Sequence, residues 1–96
     1  MSQSRRVVIT GLGTVSPLGN SLAEFTDALD TGRVGIRRIE AFDPSGFPCQ
    51  IGGEVVDFSV RKVVPKSYRK ATKVMARDIE LAVGAADDAV RDAGLT

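Results

Sequence analysis

Cys49 is the one thiol in a chain of 96 residues that contains no histidine. A thiol becomes a useful nucleophile at neutral pH when a base or a cation beside it favours the thiolate. The setting Phe47-Pro48-Cys49-Gln50 supplies neither and reads as entry to a strand, so Cys49 is expected as a small buried or half-buried residue. The absence of histidine also excludes zinc sites with imidazole ligands and any Ser-His or Cys-His dyad built from these residues. No metal site is expected. Asp87 and Asp88 are neighbours on a predicted helix and point about 100° apart, which suits solvated carboxylates better than an acid–base pair. Gly11-Leu12-Gly13 after an apolar run begins like a dinucleotide fingerprint. The third small position is Ser16, however, followed by Pro17, and the helix opens only near Ser21. A tight turn with close backbone packing is therefore favoured over phosphate binding.

Charge is concentrated in one place. From Phe58 to Arg77 there are seven bases (Arg61, Lys62, Lys66, Arg69, Lys70, Lys73, Arg77) and no acid. Residues 78–96 carry −4 and residues 1–57 carry −2, within a total of +1. Such a segment in a near-neutral chain is either a docking surface for an anionic partner or a solvated helix face. Tyr68 and Phe58 are too few aromatics for a base-stacking platform, and no nucleic-acid partner is expected.

The elements that must position these residues follow from hydrophobic periodicity and punctuation. Val7-Val8-Ile9 is a continuous β-branched run, the pattern of a strand covered on both faces in an α/β sheet. A loop with Gly11, Gly13, Ser16-Pro17 and Gly19-Asn20 leads to a helix capped by Asn20 or Ser21, with Glu24 placed for a capping box. Leu22, Phe25, Ala28 and Leu29 share one side of that helix, which ends before Gly32. Pro44, Gly46, Pro48 and Gly52-Gly53 then mark turns, and an irregular hairpin is expected around residues 49–56. Helix returns near Val60 and again after Pro65. The strongest periodicity runs through Met75, Ile79, Ala82, Val83, Ala86, Val90 and Ala93, one apolar face over about five turns, closed by Gly94.

With 43% hydrophobic and 26% charged residues, the composition is that of a foldable globular chain. A single cysteine excludes an internal disulfide framework, and no run approaches a membrane span. A cytoplasmic protein with no membrane partner is expected. A doubly buried strand needs strand neighbours that the chain does not supply, so it is expected to be the first part of a larger α/β protein. The alternative is a small α+β domain complete in itself.

Arg5-Arg6-Val7-Val8-Ile9-Thr10-Gly11-Leu12-Gly13 and Ser16-Pro17-Leu18-Gly19-Asn20 resemble the opening of β-ketoacyl-acyl-carrier-protein synthases. Further matches fall in order: Gly32 with Gly35-Ile36, Phe42-Asp43, Gly53-Glu54-Val55 with Asp57-Phe58, and Asp92-Ala93-Gly94-Leu95. The resemblance covers residues 5–95 and is to the elongating, type II-like synthases of the thiolase superfamily. It implies a thiolase-like α/β fold of α-β-α-β-α layers, with residues 1–96 the N-terminal, incomplete portion of the synthase N-terminal domain. The reaction implied is a decarboxylating Claisen condensation between an acyl thioester and malonyl-acyl-carrier protein in fatty acid or polyketide biosynthesis. The family's catalytic Cys and two His would lie beyond Thr96, so no catalytic residue is assigned here and the chain alone is expected to be inactive. No cofactor is implied, because the substrates ride on the phosphopantetheine of the carrier.

The same resemblance assigns one site within the chain. The family carries basic residues just before a Met, where they help dock the acidic acyl carrier protein. The matching stretch is Arg69-Lys70-Ala71-Thr72-Lys73-Val74-Met75, with Lys70 and Lys73 at basic family positions and Arg69 nearby. The family often has two bases directly before the Met and an Asp after it, whereas this chain has Lys73-Val74 and Ala76; Thr26 stands where a Trp is common. A homodimer is implied for the full protein. Two other functions stay open: a non-catalytic chain-length or scaffold subunit of a condensing enzyme, and an independent basic binding module.

Overall fold

The computed structural model describes residues 4–95; the expected domain limits at residues 1 and 96 lie outside them. Helix α1 spans Leu22–Thr31. Ser21, with extended backbone, accepts the Glu24 N–H on its Oγ at 3.2 Å, and the Glu24 carboxylate accepts the Asn20 N–H at 2.7 Å. The cap is therefore Ser21, and the acid reaches one residue further back than a standard capping box. Gly32, at φ 71°, ends the helix in the left-handed conformation that side chains disfavour.

Strands β1 (Ile36–Arg38) and β2 (Ile51–Gly53) pair antiparallel, with Ile36 opposite Gly53 and Arg38 opposite Ile51. The expected hairpin around residues 49–56 is thus corrected. Gly52-Gly53 is not the turn but part of a strand whose partner lies before the long connection 39–50. The Glu54 carboxylate ties that connection down by accepting the N–H groups of Glu40 (2.8 Å) and Ala41 (3.0 Å).

Two 3-10 turns follow, Val60–Lys62 and Lys66–Tyr68, the second capped by Pro65; they lead into the one-turn helix α2 (Arg69–Thr72). Helix α3 runs from Arg77 to Asp92, and Gly94 is left-handed at φ 72° beyond it. Met75 is half-buried but lies outside α3, because the chain turns at residues 73–76 before the helix begins.

Helix α3 is the platform for the N-terminal loop. The loop crosses it so closely that a Cβ on Gly13 would collide with the Ala85 carbonyl and the Ala89 nitrogen, and one on Gly11 would lie 2.7 Å from the Ala93 Cβ. Here glycine serves close approach, as the spacing leads one to expect, and neither residue needs a positive φ. Asp92 accepts the Leu12 N–H at 2.9 Å. Asp88 accepts the Leu22 N–H at 3.2 Å and the Thr14 N–H at 3.4 Å. Asp87 pairs with Arg91 at 2.8 Å. The expectation of two solvated carboxylates is corrected for Asp88: it is half-buried and serves the backbone, since the first N–H groups of a helix lack internal acceptors.

Val7–Ile9 differ from expectation as well. They carry no strand, and Val7, Val8 and Ile9 are 91%, 69% and 80% exposed. A ladder requires a neighbour, and among the described residues β1 and β2 pair only with each other. No helix among the described residues is long and apolar enough to cross a membrane.

Candidate functional site

The basic segment is held by a few inward residues and turns its cations outward. Val60 and Thr72 are buried, and Thr72 closes its own turn by donating its hydroxyl to the Arg69 carbonyl at 2.6 Å. The Phe58 ring packs on α3 at Gly84, where a Cβ would come within 2.6 Å of it. Arg77 lies over that ring, 5.5 Å from its centroid, donates to the Phe58 carbonyl, and pairs with Glu80 at 3.2 Å. Arg77 is therefore a structural clasp between the segment and α3.

The other six bases are different. Arg61, Lys62, Lys66, Arg69, Lys70 and Lys73 are all exposed, and none forms an ion pair among the described residues. Short helical turns bring them together on the segment that precedes α3, with α2 packed on both 3-10 turns and the first of these packed on α3. Exposed unpaired cations keep their hydration and cost little in the free chain. Their combined field attracts an acidic partner over roughly a Debye length, about 8–10 Å at ordinary ionic strength. This arrangement can do electrostatic docking; it offers no nucleophile, acid–base pair or oxyanion donor set.

Cys49 is exposed, which corrects the expectation of a buried or half-buried thiol. Among the described residues its Sγ donates only to the Ile51 carbonyl, at 3.6 Å. The loop 39–50 carries it at the surface, so the Phe47-Pro48 approach to β2 says nothing about burial. No group of three or more His, Cys, Asp or Glu that could hold a metal occurs among the described residues. The backbone-binding role of Asp88 and Asp92 was missed at the sequence level. The available signal was the i, i+4 spacing of two acids on α3 beside a glycine loop that must lie on some surface.

Residues 4–96 match the family model described as β-ketoacyl synthase, N-terminal domain. The 3-oxoacyl-[acyl-carrier-protein] synthase 2 of Coxiella burnetii is 47% identical over 94 residues, covering 97% of this chain and 22% of that protein. The tetracenomycin polyketide synthase ketoacyl synthase beta subunit of Streptomyces glaucescens is 40% identical over 95 residues, 99% of this chain and 22% of that protein. Among solved structures, the ishigamide ketosynthase/chain length factor superposes with a TM-score of 0.80 at 41% identity, covering 98% of this chain and 23% of that one. The chain thus spans about a fifth of the length of the curated relatives it matches.

Proposed function

Because the chain belongs to the β-ketoacyl synthase family, as part of its thiolase-like N-terminal domain, we propose that the protein carrying it condenses acyl thioesters with malonyl-acyl-carrier protein. In this reading a cysteine outside these 96 residues attacks the acyl thioester carbon and expels the carrier thiol. Malonyl-carrier then loses CO2, leaving an enolate stabilised by two histidines, also outside the chain. The enolate carbon attacks the acyl-enzyme carbon, releasing the cysteine thiolate and a β-ketoacyl carrier. Decarboxylation itself supplies the carbanion, so the reaction calls for no cofactor beyond the phosphopantetheine arm of the substrates. The protein is proposed to act in the cytoplasm as a homodimer.

The part played by this chain is carrier docking by Lys70 and Lys73, with Arg69 beside them. The observation that supports it is the set of six exposed bases on one segment without acid partners among the described residues. Docking of this kind acts mainly on encounter rate and weakens with salt. The double variant Lys70→Glu/Lys73→Glu is expected to lower kcat/KM for carrier-bound substrates about tenfold at low salt, with a smaller effect at high salt. Turnover of a small thioester should not change. An equal fall with both substrates would end the docking role.

A second reading is favoured by the 40–41% identity to a ketoacyl synthase beta subunit and to a ketosynthase/chain length factor. There the protein is a non-catalytic, chain-length-setting partner in a heterodimer. Intact-mass analysis after incubation with an acyl thioester separates the two: a covalent acyl adduct on cysteine supports the enzyme, and its absence supports the partner subunit.

A further inference from the structure

The turn between α2 and α3 sorts its side chains into three rows. Lys73, Val74 and Met75 each donate their N–H to the carbonyl three residues back, on Lys70, Ala71 and Thr72, at 3.3 Å. In such i, i+3 geometry residues three apart lie one above the other. Thr72 and Met75 form the inward row, buried and half-buried. Lys70 and Lys73 form an exposed cationic row, and Ala71 and Val74 form an exposed apolar row beside it. Val74 is 86% exposed, so it contributes almost nothing to burial within this chain. A β-branched apolar side chain held on a short hydrogen-bonded turn, with a lysine directly before it, is shaped for a partner that is both acidic and apolar.

We propose that Val74 is the apolar anchor of the carrier-docking surface, seated against an apolar side chain that the acidic carrier presents between its carboxylates. This rests on the docking reading above and adds a specificity determinant to it. Lys70 and Lys73 set the long-range, salt-sensitive attraction, while Val74 contributes short-range contact that salt does not screen. The pairing selects carriers with an apolar residue at the centre of their acidic face over carriers that are acidic throughout.

The test measures carrier binding by surface plasmon resonance with the whole protein that contains this chain, across a series of salt concentrations, alongside thermal melting of each variant. Val74→Ser is expected to weaken binding about fivefold to tenfold at every salt concentration, leaving the salt slope and the melting temperature as in the wild type. Val74→Leu should bind within about twofold of wild type, because contact is restored. Lys70→Glu/Lys73→Glu should instead flatten the salt slope. Wild-type binding by Val74→Ser, or a loss that vanishes at high salt, overturns the anchor while leaving the docking reading intact. A lowered melting temperature for Val74→Ser also overturns it, since Val74 would then be covered within the protein. Unchanged binding and slope for the double lysine variant overturns the docking reading, and the anchor with it.

Discussion

The Asp88 carboxylate stands where two backbone N–H groups from separate stretches, Thr14 and Leu22, converge, and Asp92 repeats the arrangement one turn later with Leu12. Hydrogen bonds to a charged acceptor each contribute roughly 1.5–3 kcal/mol when partly shielded from water. In the whole protein that contains this chain, Asp88→Ala is therefore expected to cost about 2 kcal/mol, read as a lower urea midpoint, and Asp88→Asn about half as much, because the amide oxygen still accepts. Gly13→Ala should cost about 1–3 kcal/mol, since the added methyl has no space above Ala85 and the loop must lift. Cys49 presents the opposite case. Being exposed and bonded only to a carbonyl, it should react with a thiol reagent in the folded chain nearly as fast as in urea, and Cys49→Ser should change stability by less than about 0.5 kcal/mol. Residue types alone showed which chemistry was missing, histidine above all. They did not show which side chains the backbone would recruit, because Asp88 has the same local sequence whether it faces water or a loop.

The helices were the most legible elements. Ser21, Glu24 and Gly32 carry the start and stop of α1 in their own side chains and backbone preferences; Ser21 and Gly32 appear in their expected roles, and Glu24 caps the Asn20 N–H instead of that of Ser21. Ser21→Ala is expected to cost about 1 kcal/mol, measurable as a shift in the unfolding midpoint of the whole protein that contains this chain. The existence of the long helix is legible in its apolar period, which takes in Met75 because the turn at 73–76 also buries one face, but Ile79, Ala82, Ala86 and Val90 of that period are exposed. Strands were less legible. Val7–Ile9 have the composition of a buried strand, but composition cannot supply the neighbour that a ladder needs. The pairing of Ile36–Arg38 with Ile51–Gly53 was hidden by the two glycines, which read as a turn when no partner is known.

At the scale of the whole molecule, the surface is large for the mass. A compact chain of this size exposes roughly 5,300 Å², whereas this one exposes 7612 Å². Its radius of gyration is 17.1 Å against about 12.5 Å for a compact domain of this length. Among the described residues the fully buried apolar side chains are Ala28, Pro44 and Val60, while Val7, Ile9, Val34, Ile36 and Ile51 are exposed. The isolated 96-residue chain is therefore expected to bind a hydrophobic dye and to melt without a sharp transition, by fluorescence and circular dichroism. A steep melt without dye binding would contradict this. The loop-on-helix contact carries a consequence for how the molecule is made. Leu12 waits 80 residues for its acceptor on Asp92. At the usual pace of roughly 5–20 residues per second, the ribosome needs about 4–16 s to deliver it. During that interval the loop at Gly11–Thr14 has no helix to lie on, so the contact forms only after nearly the whole of these 96 residues has been made.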